Sequence, residues 1–354
     1  MDRSGTDLQA MVPALLFLCA GVPLAALLDR LGFFDSIVAV IESRSDTVPL
    51  GALWVLAAAT TAVLNLDTTV VLLTPIAIRL AQRSDADPVA VAAIPLVLAS
   101  LASSFLPVSN LTTLIAVERL DLSVTDVVAH LALPGLVACT VGWFAYRRRH
   151  PTVLRPRADA APTVDRGALV RGGAVVAGLI IGFVAGPAVG IAPWTVALAA
   201  DVVLAILTRW VPWRDVPIAT AGLVAAMAAV VAVVVPADLL ASVLAADGPV
   251  AVAGTVVGGA GVANAINNLP ALLLALGGVD QMTWGTWAWL LGVNTGAALL
   301  PLGALANLLW WRIARDEGVT VSVRSYARTT VPIVLPALLA AAVVLAVEAA
   351  IVGP

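Results

Sequence analysis

Leu64-Asn65-Leu66-Asp67-Thr68-Thr69 (residues 64–69) interrupts an apolar run from Leu50 to Leu80 with an amide, a carboxylate and two hydroxyls. An ionisable side chain at membrane depth costs at least ~2.5 kcal/mol, and unpaired backbone cannot face lipid. A break of this kind therefore marks a cavity lined by protein. Three more follow: Pro107-Val108-Ser109-Asn110-Leu111-Thr112-Thr113, Asn264-Ala265-Ile266-Asn267-Asn268-Leu269-Pro270, and Asn294-Thr295-Gly296 running on to Pro301-Leu302-Gly303 and Asn307. They lie within four apolar regions, 50–80, 89–118, 249–278 and 284–312. About 20 apolar residues cross a bilayer as helix, and six unbroken stretches meet that measure, roughly at 8–28, 127–146, 172–190, 191–208, 216–235 and 331–352.

The composition agrees. Of 354 residues, 61% are hydrophobic and 12% charged, and the mean hydropathy is +1.03; a soluble domain carries roughly 25% charged residues. The chain is expected to be an all-α polytopic membrane protein of the cell membrane. All 19 basic residues are Arg, and against 22 acidic residues they leave a formal charge of −3, so no basic face exists for nucleic acid. Cys19 and Cys139 lie in separate apolar runs without CxxC spacing, which supports neither a disulfide framework nor a cysteine metal site. No P-loop, GxSxG or HExxH occurs, so an enzyme is not expected. Neither a metal nor another cofactor is expected.

Arginine placement sets the topology, because cytoplasmic loops are enriched in Arg and Lys. The loop 147–171 carries seven Arg. If 50–80 and 249–278 are re-entrant hairpins while 89–118 and 284–312 cross as broken helices, 17 Arg fall inside and only Arg3 and Arg119 outside. Full crossings in place of the hairpins would set the seven-Arg loop opposite Arg30 and Arg44. The expected architecture is therefore about eight crossing helices plus two hairpins, arranged as inverted-topology repeats: 1–146, a basic cytoplasmic linker 147–171, and 172–354. Spacing points the same way: Pro75 to Pro107 is 32 residues and Pro270 to Pro301 is 31, while Asn65 to Asn110 is 45 and Asn264 to Asn307 is 43. The second half has two helices, 172–190 and 191–208, ahead of 216–235, and nothing precedes the matching 8–28; the first repeat lacks two scaffold helices. Segments 31–48 and 236–247, just before each hairpin, suit helices in the interface plane, and the Trp residues suit aromatic belts.

Inverted repeats with paired interrupted segments point to a secondary transporter with its site near the midplane. Asp67 is the foremost candidate, as the proton-coupling group; the alternative is that its carboxylate only caps the half-helix that follows. Substrate or ion contacts are expected from Asn65, Thr68, Thr69, Ser109, Asn110, Thr112, Asn264, Asn267, Asn268, Asn294 and Thr295. Asp201, midway along an unbroken span, is expected to be a scaffold polar contact, and His130 a polar group at the interface.

The strings LNLDTTVVLLTPIAIRLA (64–81), FLPVSNLTTLIA (105–116), ANAINNLPALLL (263–274) and GVNTGAALLPLGALANLLWWRIARDEGVTVS (292–322) resemble the arsenical pump membrane protein family of the ion transporter superfamily. The resemblance implies arsenite or antimonite export driven by proton entry, with a separate ATPase subunit in some members and a homodimer as the oligomeric alternative to a monomer. It sets the family's hairpin Asn and Asp on Asn65 and Asp67, its first unwound loop on Ser109 to Thr112, its second hairpin amides on Asn264, Asn267 and Asn268, and its second loop on Asn294. Here Leu66 separates Asn65 from Asp67 where many members have them adjacent, and Thr295-Gly296-Ala297 replaces a Gly-Pro. The alternative within the superfamily is a sodium- or proton-coupled carrier of another small anion, dicarboxylate-like, or a cation/proton antiporter. An uncharged arsenic trihydroxide suits Asn, Ser and Thr; two cysteines cannot make a three-thiolate site.

Overall fold

The computed structural model describes residues 3–43, 47–151, 153–155, 163–234, 236, 238–245, 248–277 and 279–352. Arg44, Arg157 and part of the linker 147–171 lie outside them. The helices are α1 (Arg3–Arg30), α2 (Phe33–Ser43), α3 (Leu50–Leu64), α4 (Leu66–Arg83), α5 (Pro88–Leu101), α6 (Leu111–Leu120), α7 (Val124–Arg149) and α8 (Arg166–Ala185). There follow α9 (Pro193–Thr208), α10 (Ile218–Val234), α11 (Ala241–Leu244), α12 (Pro249–Ile266), α13 (Asn268–Leu276), α14 (Trp284–Thr295), α15 (Leu305–Asp316) and α16 (Val323–Val352).

All four sequence breaks are breaks in the helices. Asn65 (φ +120°) separates α3 from α4, and Asn267 (φ +82°) separates α12 from α13; L-residues rarely adopt such angles, and Asn tolerates them best. At Asn65 the chain reverses: the Thr61 hydroxyl donates to the Thr69 hydroxyl at 2.9 Å, a pairing that residues eight apart on a continuous helix, about 12 Å along the axis, cannot make. The ends of this hairpin meet at one face. Val48 N donates to Leu154 O at 2.9 Å, and Arg83 at the end of α4 pairs with Glu42 of α2 at 2.6 Å.

The second hairpin opens at the opposite face. Before it, the Leu244 carbonyl accepts from the Thr283 hydroxyl, which follows it, at 2.5 Å. Nearby, the His130 ring near the start of α7 stacks on Trp287 at 4.5 Å. The basic end of the molecule also gathers Arg79 with Glu317 at 2.8 Å and Arg30 over the Trp210 ring at 5.9 Å. Arg30, Arg79 and Arg83, all expected inside, thus lie at one end of the bundle, and the two hairpins enter from opposite ends.

α5 is buried from Ala90 to Leu101 and α14 from Gly285 to Thr295, so the leading halves of the two broken helices form the centre. A Cβ at Gly292 would collide with the Val256 carbonyl, which is why α12 can approach α14 so closely. Around this centre α7 packs along α16, α3 and α4 pack on α5, and α15 packs on α4. α1, α9, α8 and α10 form the other flank, with apolar side chains such as Ile181, Ile206 and Val233 left exposed for lipid.

Three expectations are corrected. Helix in 236–247 is confined among the described residues to the four residues of α11, against eleven in α2. The equal proline spacings do not mark equivalent positions, since Pro75 sits mid-helix in α4 while Pro270 sits in the first turn of α13. Asn65 corresponds to Asn267 as the reversal residue, not to Asn264, and Asn110 corresponds to Ala304, each following a 3-10 turn that begins with Pro.

Candidate functional site

Four helix amino termini converge between the flanks: α4, α6, α13 and α15. Side-chain oxygens cap three of them. Asn65 Oδ1 accepts from Thr68 N at 2.9 Å, Asn110 Oδ1 from Thr112 N at 3.2 Å, and Asn267 Oδ1 from Leu269 N at 3.2 Å. Ala304 opens the fourth without a side-chain cap. Remaining N–H groups and the positive dipole ends point at the space between them.

That space is a cavity of about 20 Å3, lined by Asp67, Asn110, Asn268 and Ala304 to Ala306, with Leu18 of α1 and Thr220 of α10 closing it. A water needs about 10–15 Å3 by such a measure, so the conformation is closed around little more than one water. Asp67 is half-buried and Asn268 buried. Asn65, not Asp67, supplies the N-terminal cap of α4, which leaves the Asp67 carboxylate facing the cavity. Among the described residues no cationic side chain lines it.

Most of the other expected site residues are engaged elsewhere. Asn294 spans the two broken helices: its Oδ1 accepts from the Thr112 hydroxyl and, at 3.1 Å, from Asn110 Nδ2, while its Nδ2 donates to the Thr113 hydroxyl at 2.8 Å. Asn264 donates to the Ala260 and Gly296 carbonyls, both at 2.8 Å, and accepts from Leu300 N at 2.8 Å. Asn267 Nδ2 donates to Leu302 O at 3.2 Å. The Thr69 hydroxyl donates to Asn65 O at 3.0 Å, and that of Thr68 lies 3.5 Å from Gly21 O. Ser109 Oγ holds the first break through Ser103 O at 2.7 Å. Thr295 Oγ1 is buried with no hydrogen-bond partner among the described residues.

Asp201 and His130 lie outside the cavity. Asp201 Oδ1 is buried and unpaired among the described residues, so the expected polar contact is not made by that atom. His130 is more than surface decoration, since it stacks on Trp287 while its Nδ1 lies 2.8 Å from Asp126 O. Sequence reasoning missed Leu18, Thr220 and the Ala304 segment. The last was recoverable: Ala304 follows Pro301 by three residues, as Asn110 follows Pro107. Thr220 left only the weak signal of a hydroxyl in an apolar helix.

Re-entrant hairpins from opposite faces, broken helices meeting at a central cavity and a bundle of apolar spans define a multi-pass membrane transporter, not an enzyme. The chain belongs to the CitMHS citrate transporter family, whose sequence model matches residues 8–295. An uncharacterized transporter of Mycobacterium tuberculosis is 28% identical over 348 residues, covering 88% of this chain and 81% of that protein. The arsenical pump membrane protein of Yersinia enterocolitica is 26% identical over 366 residues, covering 90% and 82%. Among solved structures, the YdaH transporter of Alcanivorax borkumensis, described as having an unusual topology, matches with a TM-score of 0.62 at 18% identity, covering 100% of this chain and 88% of that one. That last likeness concerns the fold.

Proposed function

We propose that this transporter exports arsenite or antimonite in exchange for protons, with Asp67 as the proton-coupling group. The observation that carries the reading is the cavity itself, whose one ionisable lining group among the described residues is Asp67, beside the polar side chains of Asn110, Asn268 and Thr220 and no described cation. A neutral trihydroxide can exchange hydrogen bonds with amides and hydroxyls without a fixed positive charge. Protonation of Asp67 and occupancy by substrate would compete for one small space, which is what exchange requires. The cavity must widen for either to pass, by movement of the hairpins against α1 and α10. On this reading 1–146 and 172–354 are the inverted repeats, joined by 147–171. Asn65, Asn110 and Asn267 hold the helix ends in place, while Asn264, Asn294 and Thr112 position the unwound segments.

The test is arsenite uptake into inverted vesicles holding the purified chain, under an imposed proton gradient, with sodium omitted and restored. Proton-driven, sodium-independent uptake that disappears in Asp67→Asn is expected; undiminished uptake in that variant removes Asp67 from the mechanism. The four converging helix ends favour a second reading, a small carboxylate carried with a proton or sodium ion, in line with the family's description. Sodium-dependent citrate uptake without arsenite flux would select it.

A further inference from the structure

A groove of about 670 Å3 runs down the lipid-facing flank between α3 and α7. Its α3 side is made shallow by Gly51, Ala58, Ala59 and Ala62, and its α7 side by Leu136, Thr140, Trp143 and Phe144. Thr140 turns its hydroxyl back to its own helix, donating to Leu136 O at 2.8 Å. That hydroxyl is thus taken up within the helix, which leaves a lining that is apolar apart from the indole N–H groups of Trp54 and Trp143 and the Cys139 thiol, and the rim residues Val55, Leu136 and Phe144 are 67%, 54% and 62% exposed. Its occupant must be apolar.

Length and charge identify that occupant. From Gly51 to Ala62 is about 16 Å at 1.5 Å per residue, close to half of a ~30 Å hydrocarbon core. α3 enters from the basic face, so the groove opens at the headgroup layer there and ends near the hairpin tip, where Phe105 of the first break closes it. Leu136, Thr140, Trp143 and Phe144 form one stripe of α7, spaced by helical turns. The next positions on that stripe, toward the basic face, are Arg147 and Arg148. The Arg147 guanidinium lies 5.6 Å from the centre of the Trp143 ring, and Arg148 is exposed.

We propose that this groove is a binding site for an anionic phospholipid of the cytoplasmic leaflet, one acyl chain filling the channel between α3 and α7 and the headgroup phosphate held by Arg147 and Arg148. The chain would wedge between the hairpin that carries Asp67 and α7, so bound lipid favours the hairpin position seen here.

The test is native mass spectrometry of the full-length protein after incubation with equal phosphatidylglycerol and phosphatidylcholine of identical chains. Wild type should retain one more phosphatidylglycerol than Ala59→Trp, which fills the groove. Arg147→Gln/Arg148→Gln should lose about thirtyfold in headgroup preference, two charges at about 1 kcal/mol each. Ala62→Phe, filling the inner end, serves if Ala59→Trp is not monodisperse by gel filtration. Equal lipid retention in wild type and in a folded, groove-filled variant overturns the proposal. So does wild-type binding that ignores the headgroup, or groove filling that splits a dimer while the lipid count stays constant, which would make a second copy the occupant.

Discussion

Asn65 does two jobs at one position: it holds φ at +120° and caps α4 through its amide oxygen. The two are separable. Asn65→Gly keeps the backbone conformation at no steric cost and loses only the cap, whereas Asn65→Ala loses the cap, worth ~1 kcal/mol, and adds the strain of a positive φ. Thermal melting in detergent should rank wild type above Gly and Gly above Ala; equal melting of the two variants would show that the reversal does not depend on this angle. Asn294 and Thr295 make a second contrast. Asn294→Ala strands Thr112 and Thr113, buried hydroxyls that each cost about 1–3 kcal/mol when unpaired, and should melt well below wild type. Among the described residues Thr295 Oγ1 has no partner to lose, so the near-isosteric Thr295→Val should match or exceed wild type.

The two broken helices are built by different means, and the difference sets what each can do. In the first, serines satisfy their own segment: Ser103 Oγ donates to Ser100 O at 2.8 Å and Ser109 Oγ to Ser103 O. In the second, the unwound carbonyls accept from outside the segment, Ala298 O from the Tyr326 hydroxyl at 3.3 Å and Leu299 O from the Thr330 hydroxyl at 3.0 Å, with Asn264 and Asn307 holding Gly296 and Ala297. α16 and the second hairpin therefore clamp the second break by hydrogen bonds, while among the described residues the first is tied by side-chain hydrogen bonds to other elements through Asn294 of α14. Thr330→Val should lower the melting temperature while leaving the substrate concentration for half-maximal uptake unchanged, because its hydroxyl lies outside the cavity; a large change in that concentration would mean the clamp shapes the site directly.

At the scale of the whole molecule, charge and hairpin geometry agree on orientation. Asp121, with φ +52° between α6 and α7, lies at the end of the bundle opposite Glu317. Glu317 pairs with Arg79 in an ion pair whose partners are 25% and 60% exposed, so replacing it should cost little. In a cysteine-free background, a membrane-impermeant thiol reagent applied to intact cells should label Asp121→Cys and spare Glu317→Cys until the cells are opened. The reverse pattern would invert the topology and move the phospholipid groove to the outer leaflet.

Much of this was legible in the residues alone, because bilayer physics is severe: apolar length, arginine placement and polar breaks determined the helical class, both hairpins, both broken helices and the place of Asp67 at a break. The assignment of roles among the polar tip residues was not legible. Asn264, Asn268 and Asn294 look alike along the chain, yet Asn268 faces the cavity while the other two spend their amides on carbonyls and hydroxyls of neighbouring segments. Thr220 and Leu18 reach the cavity only because α10 and α1 pack against the hairpins. The sequence by itself determined where the backbone must leave the helix, since that follows from local chemistry in a low-dielectric solvent. Only the tertiary structure decided which side chains remain unpaired in the cavity, because a hydrogen-bond partner from a segment 180 residues away cannot be read from its own neighbourhood.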